Sequence, residues 1–424
     1  MYLLEELMKE YKPFDENLRP KIPYPYLMAV EWGGTIGMLP LNTKITKINC
    51  KGHKPPYILL ANHASFIDFP IVVKAIFPRR VNWLISIEEF NGREWLMRGI
   101  GGIYKRKFTS DLTNVRHILW LLKKKKRIVV IYPEARFSLA GINEKLDGSY
   151  GKLVKTAKCP VVTLIAHGNF LNSPQWNKHP KRKVPISAEM KQIVTAEEAL
   201  SLTAEEIQQR IEDAFSYDEY QWQYDNKIKI NSKARANNIH RILYQCPVCG
   251  KEFCTDSKDT EIWCENCGAR WMMDEYGRLH RTDGGDDVFS HVPDWYRWER
   301  EQVRKQVRDG LYNFEDTVRV EELVNCKDAG FIPLGEVRFT HDMNGFTLHG
   351  TLDDGTTFDF NRSVISMYSC HIEYNFKGRG DAIDLATKGK TYFIFPLTAR
   401  NVLTKIHFAE EEMHNLLKEQ EQSK

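Results

Sequence analysis

The segment Asn62-His63-Ala64-Ser65-Phe66-Ile67-Asp68 sets a histidine five residues before an aspartate. An aspartate that accepts the proton on one imidazole nitrogen fixes the tautomer. The other nitrogen is then free to take a proton from a hydroxyl nucleophile. A base positioned this way contributes roughly 10²–10⁴-fold to rate. The same residues are also compatible with a strand-end histidine and a helix-capping aspartate. A second polar cluster, Tyr132-Pro133-Glu134-Ala135-Arg136-Phe137-Ser138, follows about 65 residues later. An arginine presents a fork of donors that fits phosphate oxygens, and a local salt bridge is the plainer use of the same pair. A third set is sulfur. Cys246-Pro247-Val248-Cys249-Gly250 and Cys264-Glu265-Asn266-Cys267-Gly268 are two CxxC knuckles separated by 14 residues. Four thiolates at this spacing suit tetrahedral Zn²⁺, and with no histidine and no open position the metal is structural. The glycine after each knuckle allows the tight turn. Cys254 is a spare thiol, and Cys50 and Cys159 read as small buried residues.

The elements that position these groups follow from apolar patterning. Short apolar runs at 57–61, 82–87, 128–132 and 161–165 read as buried strands, and both polar clusters sit straight after one. Strand ends in α/β sheets are where ligands are held. The stretch 110–122 reads as a helix with Leu112, Val115, Leu119 and Leu122 on one face. Strands alternating with helices predict an α/β domain. Residues 196–225 read as one or two polar helices, and a charged helix is expected near 294–308. From 330 onward the chain alternates like strands. Asn344-Gly345, Asp354-Gly355, Gly378-Arg379-Gly380-Asp381 and Lys388-Gly389-Lys390 mark turns. A last helix carries Val402, Ile406, Met413 and Leu417 on one side.

With 42 % hydrophobic and 27 % charged residues, the 424-residue chain has a globular composition and room for two or three domains. Net charge is only +4, yet Lys74 to Arg127 holds 14 Lys/Arg and 4 Asp/Glu, a net of +10. The start, Met1-Tyr2-Leu3-Leu4-Glu5-Glu6-Leu7, has early acids and no basic leader. The most apolar window, Tyr26 to Leu41, is shorter than the ~20 residues a span needs and contains Glu31, Gly33-Gly34 and Pro40. It reads as a buried or loop segment, with an interfacial one as the other option. Nine cysteines without a secretion signal point to a reducing compartment. Zinc knuckles often touch nucleic acid, but His240 to Arg281 has 6 Lys/Arg against 7 Asp/Glu, and nucleic-acid binding wants a basic face. No nucleic-acid partner is expected.

In order and spacing, the clusters resemble the glycerolipid acyltransferase family, whose best-known members acylate 1-acylglycerol-3-phosphate. Asn62, His63 and Asp68 meet the family's Asn-His-x4-Asp motif in full. Pro133-Glu134-Ala135-Arg136 resembles its Pro-Glu-Gly-Thr-Arg, with the arginine one residue closer. Gly101-Gly102-Ile103-Tyr104-Lys105-Arg106 resembles a glycine-to-arginine block, one residue short of the usual form. Cys159-Pro160-Val161-Val162 resembles the last block, a proline leading a buried strand. The resemblance covers about residues 45–195. It implies that His63 deprotonates an acceptor hydroxyl, which attacks an acyl thioester on coenzyme A or acyl carrier protein. It implies that Asp68 holds His63, that Arg106, Arg136 or both bind the acceptor phosphate, and that Glu134 orders that site beside Asn62.

The expected organisation is a lead-in at 1–45, an α/β acyltransferase domain at 46–230 and a zinc ribbon at 240–280. A linker with a charged helix at 281–325 and a β-rich domain of pleckstrin-homology type at 326–424, ending in a helix, complete it. A lipid acceptor implies a membrane surface. The run Lys123-Lys124-Lys125-Lys126-Arg127 suits anionic lipid, each basic residue contributing roughly 1 kcal/mol, although lysines at a helix end also complement its dipole. The expected setting is cytoplasmic and peripheral. The alternative is a lipid-binding or regulatory protein that keeps the fold without activity.

Overall fold

The computed structural model describes residues 15–40, 42–50, 52–177, 182–324, 330–387 and 389–423. The first fourteen residues of the expected lead-in, Pro13 included, lie outside the described residues, as does Lys388 of the last expected turn. The described part of the lead-in, with Pro20, Pro23, Pro25 and Pro40, contains a helix and the start of a strand. Pro25 sits at the first position of helix α1 (Pro25–Ile36), where its missing N–H costs nothing. Strand β1 (Lys44–Ile48) then joins the first sheet, so the lead-in and the α/β unit are one structure.

That sheet contains β2 (Tyr57–Ala61), β3 (Val81–Ser86), β4 (Gly102–Lys105), β5 (Ile128–Ile131), β6 (Val161–His167) and β7 (Ser187–Val194). Its order is β1-β7-β6-β2-β5-β3-β4. Every pair is parallel except β6 with β7. Central β2 is buried at all five positions, which explains its unbroken apolar run. Its side chains alternate between two cores. Leu59 packs with Ile71, Val72 and Val73 of α2 (Asp68–Ile76). Ile58 and Leu60 pack with Ile118, Leu121 and Leu122 of α3 (Leu112–Lys123). Helices α4 (Tyr150–Ala157) and α5 (Ala204–Ala214) cover the same face.

Helix α3 forms where expected, but its inner face is different. Leu112 is 73 % exposed and Val115 38 %, whereas Asn114, His117, Ile118, Leu121 and Leu122 are buried. The buried stripe steps by three and four residues from Asn114, and Asp111 caps the first turn through the Thr113 and Asn114 N–H groups.

The cysteine unit is a four-stranded antiparallel sheet, β8 (Thr255–Lys258), β9 (Glu261–Cys264), β10 (Arg270–Met273) and β11 (Leu279–Arg281), paired in sequence order. Helix α6 (Val292–Arg308) leads to a second seven-stranded sheet. Its strands are β12 (Phe314–Leu323), β13 (Phe331–Asp342), β14 (Gly345–Thr351), β15 (Thr357–Arg362), β16 (His371–Glu373), β17 (Ala382–Ala386) and β18 (Thr391–Pro396). It is antiparallel, in order β15-β14-β13-β12-β18-β17-β16, so the first and last strands pair. Helix α7 (Leu403–Gln422) closes the chain, burying Ile406 and Met413. One continuous buried cluster runs from Leu139 and Phe170 through Trp271 and Trp295 to Phe408 and Met413. The C-terminal half is thus packed onto the first sheet's loops.

Candidate active site

Parallel pairing of β2 with β5 brings the ends of both strands to one edge of the sheet. His63 leaves the end of β2, and the 132–138 segment leaves the end of β5. The two loops are tied directly, because the Ser138 N–H donates to the His63 carbonyl at 2.7 Å. His63 Nδ1 lies 2.9 Å from Asp68 Oδ2. A carboxylate only accepts, so Nδ1 carries the proton and Nε2 is the free base. Asp68 is 2 % exposed and fixed at the start of α2. Its Oδ2 accepts the Ala64 and Ser65 N–H groups at 2.6 and 3.0 Å, and its Oδ1 accepts Asn169 Nδ2 at 2.8 Å. The His63 ring stacks on Tyr132 at 4.1 Å and leans on Phe137 at 4.4 Å. Asn169 carries no motif signal in the sequence; only the closeness of the β2 and β6 ends reveals it.

Glu134 is fully buried behind the histidine. Its Oε2 accepts the His63 N–H at 2.8 Å, and its Oε1 accepts the Glu144 N–H at 2.9 Å and the Tyr217 hydroxyl at 2.8 Å. Burial pushes this carboxyl up to about 8, against the hydrogen bonds it accepts. Ala135 takes a left-handed φ of +57°, a conformation that a glycine adopts without strain. Asn62 faces β6, donating to the Ala166 carbonyl at 2.9 Å and accepting the Ala166 N–H at 2.8 Å. Glu134 and Asn62, the two residues placed by the motif at the substrate site, are thus engaged with backbone groups and the Tyr217 hydroxyl.

The two expected phosphate-binding arginines are also engaged inside the protein. Arg106 is 4 % exposed, donating to Thr391 Oγ1 at 2.8 Å and to Glu16 Oε1 at 2.6 Å. Alternation after β4 explains this, since Lys105 and Lys107 face the cavity and the residue between them turns away. Lys107, one residue further on, lines the cavity. Its Nζ lies 3.3 Å from Asp384 and 3.8 Å from Glu88. Arg136 is 3 % exposed, with Nη2 3.0 Å from Glu144 and 2.6 Å from Glu411 of α7, and Nη1 2.5 Å from Ser369 Oγ. Burial opposes its charge, but these two carboxylates keep the guanidinium protonated. The shortened motif turns its arginine into a clamp for the C-terminal helix.

His63, Tyr132, Phe137, Lys105 and Lys107 line a cavity of about 920 Å³ whose far wall comes from the C-terminal half, including Tyr368 and His371. Its apolar lining includes Phe66, Phe69, Trp83, Leu96, Met97 and Ile100.

Residues 42–167 match the family model Acyltransferase. This segment is an acyltransferase domain. Among matching solved structures is the crystal structure of the 1-acyl-sn-glycerophosphate (LPA) acyltransferase from Thermotoga maritima. It is 17 % identical, with a TM-score of 0.34, covering 45 % of this chain and 76 % of that one. No curated protein matches the chain. Both dyad residues, Glu134 and Arg136 fall inside the acyltransferase domain. The cysteine unit and the second large sheet fall outside it.

In the cysteine unit the four Sγ atoms of Cys246, Cys249, Cys264 and Cys267 lie within 4.8 Å of one another. Cys246–Cys267 and Cys249–Cys264 are 3.7 and 3.8 Å apart. A tetrahedron with Zn–S near 2.3 Å has edges of about 3.8 Å, so the donor set fits that ion. Gly250 and Gly268 have φ of +71° and +77°, as tight knuckle turns require. Cys254 lies 3.4 Å from Cys264 but donates to the Lys251 carbonyl.

Proposed function

We propose that the chain moves a fatty acyl group from an acyl thioester to a hydroxyl of a lysophospholipid or glycerol-phosphate acceptor. The observation that carries this reading is the His63–Asp68 hydrogen bond at the wall of a cavity lined by both apolar and charged side chains. Nε2 takes the hydroxyl proton as that oxygen attacks the thioester carbonyl. The ester C–O bond forms, the C–S bond breaks, and the departing thiolate of coenzyme A or acyl carrier protein recovers the proton from the imidazolium. Asp68 stabilises that imidazolium. Glu134 and Asn62 act as positioning residues, and Arg136 braces the loop through Glu144 and Glu411.

Cys246, Cys249, Cys264 and Cys267 hold a structural Zn²⁺ in this reading, supported by sulfur spacings that match a tetrahedral site. The meander of β12–β18 with a terminal helix is read as pleckstrin-homology-like from its strand order. Among the described residues no helix is long and apolar enough to cross a membrane. A lipid acceptor then calls for peripheral association with the cytoplasmic membrane surface, to which Lys123–Arg127 at the end of α3 contribute charge.

The deciding experiment is acyl transfer by purified His63→Ala. A loss of at least about 100-fold in kcat/KM is expected, with the melting temperature retained. An unchanged rate in the folded variant removes His63 as the base. A wild-type protein that transfers from no acyl thioester supports the lipid-binding alternative.

A further inference from the structure

Of the cations on the cavity wall, Arg93 pairs with Glu89, Lys418 pairs with Glu421, and Lys105 donates to the Thr109 carbonyl. Lys107 and Arg136 already face carboxylates, so an anion arriving there competes with groups at 3.3 and 2.6 Å. Lys145 is different. Among the described residues its Nζ donates to neutral acceptors alone, Asn415 Oδ1 at 2.7 Å, the Tyr368 carbonyl at 3.4 Å and His414 Nδ1 at 3.4 Å. Glu410, Glu411 and Glu412 act on it from farther away, but burial keeps Glu410 protonated beside His341, and the other two are paired with Arg136, Arg300 and Arg304. A half-buried ammonium with neutral partners lacks the counter-charge that burial calls for.

His414 and Lys418 stand one turn apart on α7 and line the same cavity; Lys418 also meets Glu421 at 2.9 Å, a pair exposed on both sides and therefore weak enough for an anion to displace. The His414 imidazole is held neutral, at about 4, by burial and then by the two lysines. An anion bound between the two lysines opposes their effect on the ring. The place is joined to the catalytic loop through packed rings. Tyr368 meets Phe108 at 5.2 Å, and Phe108 lies 5.7 Å under the Arg136 guanidinium.

We propose that Lys145, His414 and Lys418 form the subsite for the phosphate of the lipid acceptor, so that the C-terminal helix supplies part of the acceptor site. This rests on the acyl-transfer reading. The acyltransferase domain supplies the base and one lysine, and the C-terminal half supplies the remaining donors. That division gives the second sheet and its helix a direct part in acceptor choice.

The test uses the full chain carrying Lys145→Met, and separately Lys418→Ala, whose side chain is exposed enough to be replaced without disturbing the fold. Each is assayed with one acyl thioester and two acceptors of equal chain length, 1-acylglycerol 3-phosphate and the 1-acylglycerol without phosphate. The ratio of kcat/KM for the phosphorylated over the phosphate-free acceptor is expected to fall about tenfold or more in Lys145→Met and about threefold in Lys418→Ala. Titration of 1-acylglycerol 3-phosphate without donor is expected to show the same loss of affinity. Unchanged ratios and affinities in folded variants overturn the subsite. Inorganic phosphate that competes at Lys145 while the lipid ratio stays unmoved overturns it as an acceptor site. Lost lipid affinity in the variants, with no transfer by the wild type, supports the subsite and rejects the acyltransferase reading alone.

Discussion

Glu31 brings a carboxylate into the cavity wall on α1, 7 % exposed, with neither oxygen hydrogen-bonded among the described residues. Burial pushes it up to about 8 from the ordinary 4.5. The folded protein therefore keeps a proton that the unfolded chain releases. The stability this contributes is complete below about pH 4.5 and is lost as pH rises through about 8. Glu31→Gln removes the penalty. The variant should exceed the wild type by a few kcal/mol at pH 8.5, with the gap closing towards pH 5, measured by urea unfolding at both values. Equal gaps at both pH values would mean that the carboxylate is solvated. Such a residue is hard to read in sequence, where Glu31 serves only as a charge that interrupts an apolar window. His63 and Asp68 are easier, because five residues suffice to bring a strand end onto a helix start. Arg136 misleads because its partner Glu411 lies 275 residues away, across a packing contact that no local pattern records.

Elements show the same contrast between local and long-range information. The four strands read from apolar runs appear within a residue or two, because strands buried on both faces need unbroken apolar sequence. The turns at Asn344-Gly345 and Asp354-Gly355 appear because glycine there takes φ of +96° and +82°. Helix α3 was legible as a helix, but not its inward face. Leu112 and Val115 are apolar and exposed, and Asn114 and His117 are polar and buried, so hydropathy alone turns the stripe the wrong way. Two truncations separate the readings. Leu122→Ala empties a site between α3 and the sheet and should cost about 2–5 kcal/mol. Leu112→Ala should stay within about 0.5 kcal/mol. Denaturant midpoints of the two variants check the assignment, and equal losses would contradict the packing described above.

At the scale of the molecule, composition shifts divide the chain into units, whereas its buried surface joins them. The cysteine unit sits in the middle of that shared core. Trp271 of β10 meets Trp295 of α6 at 4.9 Å, and Trp295 Nε1 donates to the Gln245 carbonyl beside the first knuckle at 2.9 Å. Glu299 accepts the Gln245 N–H at 2.7 Å, Lys405 of α7 reaches Glu252 at 2.6 Å, and Arg241 reaches Asp381 at 2.6 Å. A four-thiolate zinc site contributes on the order of 10 kcal/mol, comparable to the ~5–15 kcal/mol stability of an ordinary domain. Loss of the metal should therefore not stop at the knuckles. Under the zinc reading, its loss should free Gln245, loosen α6 against β10, and undo the support that α7 gives Arg136 and the His63 loop. Elemental analysis should find about one zinc per chain. Titration with a chelator should lower acyl transfer and tryptophan order together, in one transition. A metal-free chain that keeps its melting temperature and its activity would refute the zinc reading. A chain that loses only the cysteine unit's order while acyl transfer persists would refute the transmission from that unit to the active site.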